Sequence, residues 1–175
     1  MSDYREVFLT KLEAKKTIID AYKIKASSVF DMNELYESMN RWFEHKGYDW
    51  KELRYKHIDM PDGRKVTEIG WECTKKLDDY VSFVVTMGAQ IVLTDVEVNL
   101  PNNVKKKMNK GSIESKFAAY LQKDVGIWEK KALGHLLGLI YEKILIRKRL
   151  EEYEKAMFAE IHTFFDEVRL YLQIR

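Results

Sequence analysis

The chain has 175 residues, 46% of them hydrophobic and 33% charged, with 30 Lys and Arg against 28 Asp and Glu and a formal net charge of +2. This length supports one domain with a real core, and the composition excludes a disordered chain. So small a net charge gives no global footprint for nucleic acid, and one cysteine, Cys73, cannot form an internal disulfide.

The charged start, Met1 to Glu6, lacks the apolar core of a secretory leader. The most apolar run, 132–146, carries His135, Glu142 and Lys143 and is shorter than a membrane span. A cytoplasmic protein with no membrane partner is expected. Residues 4–28 are ambiguous: Tyr22, Ile24 and Ala26 alternate with Lys23, Lys25 and Ser27 as in a half-buried strand, while Val7 to Ile19 reads as a strand or a short helix. Asp31 with Glu34 three residues on makes a capping-box variant, and Phe30 and Leu35 occupy the two staple positions. Met32, Leu35, Tyr36, Met39, Trp42 and Phe43 line one face and Gly47 is the stop, so a helix is expected over 31–46.

From Trp50 to about Asp124 the period becomes two. Strands are expected over Leu53–Ile58 and Val66–Cys73 about a Pro61-Asp62-Gly63 turn, with Ile69, Trp71 and Cys73 on one face. Strands follow over Tyr80–Thr86, broken by Gly88, and over Ile91–Leu100, where Val92, Thr94, Val96 and Val98 share a face. Pro101 to Gly111 reads as a loop, and Ile113 to Leu121 as the last strand. Short turns between successive strands imply an antiparallel meander. The stretch from Ile127 to about Leu172 has no proline and repeats apolar residues at helical spacing, which predicts one long helix, either continuous or kinked near Arg147, Lys148 and Arg149. The expected class is therefore α+β: a meander sheet against a short helix and one long C-terminal helix, in a single domain over 1–175.

The chemistry-bearing patterns are few. There is no glycine-rich phosphate loop, no Gly-x-Ser-x-Gly elbow and no His-Glu-x-x-His, so an enzyme is not the leading expectation. His57-x-Asp59 offers two metal donors at a hairpin mouth, short of a closed site, and neither metal nor cofactor is expected. The stretch 99–111 holds Lys105, Lys106, Lys107 and Lys110 with no acid, and lysines at that density contact phosphates. Its plainer account is a solvated hairpin tip. Trp71, Tyr80, Phe83 and Phe117, opposite an apolar segment carrying His135, are candidates for lining a cavity between sheet and helix; the plainer account is a packed core.

The element order strand, helix, antiparallel meander, long C-terminal helix, with Ala21-Tyr22-Lys23-Ile24-Lys25-Ala26-Ser27-Ser28-Val29-Phe30 running into helix 31–46, resembles the helix-grip fold of START and Bet v 1-like proteins. That resemblance spans most of the chain and implies binding of apolar ligands between sheet and helix, sometimes with catalysis. The order departs from the family in having one helix after the first strand where two short ones are usual, and in its longer last helix.

A continuous helix of about 45 residues would be roughly 70 Å long, against a domain diameter near 40 Å. Its distal part, 147–175, would then overhang and expose Leu150, Tyr153, Met157, Ile161, Phe164, Val168 and Tyr171 as one ribbon. A second copy would cover it, giving a homodimer with Leu150, Met157, Ile161, Phe164 and Val168 at the interface. The competing account is a break near Arg147 to Arg149 that folds the second half back. The functional expectation is a non-catalytic binding or interaction protein, homodimeric, with an apolar small molecule as ligand; the alternative is an RNA- or ribosome-associated factor using the lysines of 99–111.

Overall fold

The structure is a computed structural model and describes residues 13–100, 104–130 and 133–173. The two-residue period produces five antiparallel strands, β1 (Lys15–Phe30), β2 (Asp49–Asp59), β3 (Lys65–Lys76), β4 (Val81–Leu100) and β5 (Val104–Lys123), in the spatial order β1-β5-β4-β3-β2. Strands β2 to β5 form the expected meander, and β1 closes the sheet by pairing with β5, with Ile24 opposite Ser115 and Phe30 opposite Asn109. Helix α1 (Met32–His45) joins the two edge strands and so has to cross the sheet. This antiparallel sheet with a long C-terminal helix is compatible with a helix-grip-like topology.

Alternation decides which face is buried. Ile69, Trp71 and Cys73 of β3, Phe83, Val85, Met87, Ile91 and Leu93 of β4, and Ile113, Phe117, Ala119 and Leu121 of β5 are all buried. Val92, Thr94, Val96 and Val98 do share a face, but it is the opposite, half-exposed one.

Helix α1 starts as its cap pattern requires. Asp31 is extended, at φ −93° and ψ 109°, and its Oδ1 accepts from the Glu34 amide at 3.2 Å. Phe30 and Leu35 are both buried, as a staple demands. Past the helix, Gly47 takes φ +79°, a conformation that suits glycine. Burial disfavours the Asp31 carboxylate, but the Glu34 amide and the Lys106 ammonium outweigh it and hold the carboxyl below its ordinary value. Asp31→Ala is expected to cost about 1 kcal/mol, seen as a lower urea midpoint at neutral pH. Because the folded pKa is depressed, this contribution is complete above the unfolded-state value and fades as pH falls through the folded one.

Three expectations change. Strand β4 runs unbroken through Gly88, which pairs with Gly70 on one side and Lys116 on the other. A central strand keeps its ladder bonds whether or not one residue carries a side chain. Strand β5 begins at Val104, so most of the expected 99–111 loop is paired strand, with Asn99 opposite Lys105 and Glu97 opposite Lys107. Strand β1 is one element from Lys15, with register shifts near Thr17, Ile19 and Tyr22; residues 7–12 of the strand-or-helix stretch lie outside the described part.

The C-terminal region is not one rod. It comprises α2 (Gly126–Glu129), α3 (Gly134–Ile140), a π-helical segment (Tyr141–Leu145) and α4 (Arg147–Tyr171). Ile146, at φ −114° and ψ 7°, leaves helical geometry next to the basic run where the kinked alternative places its bend. The 25 residues of α4 span about 38 Å, close to the roughly 40 Å diameter of a domain this size. Nothing needs to overhang. Leu150, Met157, Ile161, Phe164 and Val168 are at most 9% exposed and belong to the chain's own core, with Trp42, Phe43 and Phe117 around Phe164. The exposed ribbon that motivates a two-fold interface is thus covered from within, and 147–173 packs as part of the core rather than as a distal extension.

Polar contacts fix α4 in place. Lys75 on β3 reaches both oxygens of Glu160 at 3.0 and 3.2 Å, Trp42 Nε1 donates to Glu167 at 3.1 Å, and Tyr171 Oη donates to the Asp31 carbonyl at 3.1 Å.

Candidate functional site

The inward face of the sheet is apolar through its middle and turns polar at one end. On β3 the buried run Ile69, Trp71, Cys73 is preceded at the same parity by Thr67 and Lys65; on β4 Ile91 and Leu93 are followed by Asp95; on β5 Ile113 is preceded, past Gly111, by Asn109 and Lys107. The first turn of α1 passes over these residues without filling the space. The result is an open cleft of about 730 Å³, with Ile69 and Leu93 among its apolar lining. Small-molecule sites fall in the range of roughly 300–1,000 Å³.

Its polar groups are arranged in pairs. Tyr36 Oη donates to Glu52 Oε2 at 2.6 Å, and burial, followed by that carboxylate, pushes the phenol up to about 12. His57 Nδ1 lies 2.8 Å from Thr67 Oγ1, while its Nε2 is 3.3 Å from Asp59. Asp95 accepts from Lys65 at 2.6 Å and from Asn109 Nδ2 at 3.0 Å, and chiefly the Lys65 ammonium holds its carboxyl below the ordinary range. Asn109 Oδ1 in turn accepts from the Met32 amide at 3.1 Å, which ties β5 to the start of α1. Among the described residues no three His, Cys, Asp or Glu side chains come together as a metal set, and His57 with Asp59 remains a pair.

The residues proposed from sequence to line an apolar cavity do not surround one space. Trp71 is 1% exposed and packs between Trp50 and Tyr36, with ring centroids at 4.0 and 5.0 Å. Phe117 is wedged between Phe164 and Phe165, and Phe83 lies edge-on to Tyr153. These three fill the core. Tyr80 sits in a separate polar cluster near α3, and His135 is exposed on α3. An apolar groove does exist, of about 340 Å³, but it lies between α1 and α4, where Leu35, Met39, Trp42, Phe164 and Val168 meet.

The Tyr80 cluster braces the break before α4. Tyr80 Oη donates to Glu142 Oε1 at 2.6 Å and Lys123 Nζ donates to Glu142 Oε2 at 2.7 Å. Burial, then the Glu142 carboxylate, raises the Tyr80 phenol well above its ordinary value. Next to it, Asp78 caps the β3–β4 turn through the Tyr80 and Val81 amides and also accepts from Tyr153 Oη, with Arg149 Nε 3.4 Å away.

The four lysines considered for nucleic acid sit on β5, and β4 supplies acids across the ladder. Lys105 lies 3.6 Å from Glu97, Lys106 lies 3.2 and 3.4 Å from Asp31 and Glu34, and Lys107 faces the cleft that holds Asp95. Lys110 is exposed, opposite Thr94. A run that looks uncompensated in sequence is therefore largely balanced by acids from other elements. No family model matches the chain, and no curated protein matches it.

Proposed function

We propose that the protein is a non-catalytic binding protein of helix-grip-like architecture, and that its ligand occupies the cleft between the first turn of α1 and the polar end of the sheet. The observation that supports this most is the cleft itself: inward positions of three adjacent strands change from apolar to polar where the helix leaves space above them. A packed core has no use for Thr67, Asp95 and Asn109 at those positions, whereas a ligand with hydrogen-bonding groups does. The cleft pairs an apolar floor with fixed donors and acceptors, which suits a small amphipathic molecule.

The protonation states favour recognition over proton transfer. A general acid or base works best with a pKa near the ambient pH. Tyr36, pushed up to about 12, stays a phenol, and Asp95, held low, stays a carboxylate.

Native mass spectrometry of the protein purified under mild conditions is expected to show a bound small molecule. Asp95→Asn should reduce its retention roughly tenfold, the worth of one charged hydrogen bond, because Lys65 and Asn109 lose their anchor. The fold should be little affected, since the Lys65–Asp95 pair is exposed. A bare protein mass, with no melting shift across a panel of amphipathic metabolites, would sink the reading.

A further inference from the structure

The helical stretch Gly134 to Leu145 is apolar on two opposite faces. Gly134, Gly138 and Leu139 are buried, and Glu142 turns inward to Lys123 and Tyr80. About half a turn away, at spacings of three and four, Leu133, Leu137, Ile140 and Ile144 are 76%, 44%, 39% and 71% exposed, and Leu145 beside them is 70% exposed. An ordinary surface helix puts polar residues there; a helix apolar all round is one whose two faces are both covered when it works. The fold covers one.

The charge around this ribbon says what covers the other. From residue 130 to 149 the described cations are Lys130, Lys143, Arg147, Lys148 and Arg149; the single acid in that interval, Glu142, has both oxygens engaged inside the protein, while Arg147 pairs with Glu151 at 3.0 Å and Arg149 lies 3.4 Å from Asp78. Lys130, Lys143 and Lys148 are exposed. These three lysines border the exposed Leu and Ile side chains.

We infer that the segment Leu133 to Lys148 docks the protein on an anionic lipid surface, with Leu133, Ile144 and Leu145 entering the boundary between headgroups and acyl chains and the lysines on the phosphates. Nucleic acid would reward the cations but leave the protruding apolar side chains in water. A second copy would bring the same cationic border against itself across a two-fold axis, which is repulsive. Lying on a membrane also differs from crossing it: among the described residues no helix is long and apolar enough to span one.

Flotation with vesicles of phosphatidylcholine, with and without phosphatidylglycerol, tests this on the full chain. Binding is expected to the anionic vesicles alone and to weaken as salt is raised. Ile144→Glu with Leu145→Glu should abolish it, and Lys130→Glu with Lys148→Glu should lower it by on the order of tenfold or more. These positions are exposed, so circular dichroism and melting should match the wild type; Ile144→Ser with Leu145→Ser serves if the acidic pair disturbs folding. Absence of flotation with anionic vesicles, or flotation unchanged in the apolar-site variants, would overturn the proposal. So would a dimer in sedimentation equilibrium that those same variants dissociate.

Discussion

Glu142→Leu is expected to destabilise the protein by about 3–5 kcal/mol, the usual result of stripping one member from a buried ion pair. Lys123 and Glu142 have side chains only 7% and 14% exposed, and their oxygen–nitrogen distance is 2.7 Å. With the carboxylate gone, the Lys123 ammonium stays in a site water hardly reaches. Tyr80 also loses the acceptor of its hydroxyl, and Trp128 Nε1, 3.4 Å from that oxygen, is a donor and cannot replace it. The damage should spread to the π-helical segment, because Glu142 ties that segment to Tyr80 just before β4 and to Lys123 of β5, leaving the Tyr141–Tyr80 ring contact at 5.3 Å. For a chain of this size the loss corresponds to a fall in Tm on the order of 10 °C. Lys123→Met combined with Glu142→Leu should recover most of the loss, since replacing a buried pair by apolar side chains is often neutral. A double-mutant cycle by urea denaturation reads the coupling. Equal midpoints for Glu142→Leu and the wild type would show that Lys123 is solvated and the pair dispensable.

The fold was legible where one local pattern decides it. Asp31, Glu34, Phe30 and Leu35 specify the start of α1 from six consecutive residues, and the alternation of Ile69, Trp71 and Cys73 specifies the buried face of β3. It was less legible where the deciding partner is distant. Lys105 to Lys110 read as a loop because Pro101 and two asparagines precede a polar run, yet pairing with Thr94 to Asn99 across the β4–β5 hairpin makes them strand. The acids that balance those lysines come from β4 and α1 and form no cluster in sequence. The C-terminal helix read as continuous because helical spacing resumes after the break. What breaks it, Ile146 with the Asp78, Arg149 and Tyr153 contacts, depends on the β3–β4 turn. The cleft did carry a sequence signal: Lys65 and Thr67, Asp95, and Lys107 and Asn109 continue the inward parity of three strands in polar form. Aromatic content pointed instead to Trp71, Phe83 and Phe117, which are core.

Gly111→Ala is the second large effect expected, and Gly88→Ala is its control. Both glycines lie within strands, where glycine is on general grounds weaker than alanine by up to about 1 kcal/mol. At Gly88 a Cβ would meet nothing within 4 Å, so the substitution should be neutral or slightly stabilising. At Gly111 the same atom would stand 2.0 Å from the Val92 carbonyl oxygen and 2.9 Å from Leu93 Cα. Both are backbone atoms of the neighbouring strand, so no side chain can swing aside; the strands themselves have to part. Strand β5 is held between β1 and β4, with Gly111 opposite Ser28 on one side and Leu93 on the other, which leaves it little room to retreat. The cost should reach the upper part of the about 1–3 kcal/mol typical of overpacking. The displacement would fall two residues from Asn109 and on the strand carrying Asp95, so binding of the ligand proposed for the cleft should be lost along with stability. Faster amide exchange over 92–95 and 109–113, with the far end of the sheet unaffected, is the expected signature. Matching urea midpoints for Gly111→Ala and Gly88→Ala would mean that β4 and β5 do not approach this closely, and the polar end of the sheet would have to be placed differently.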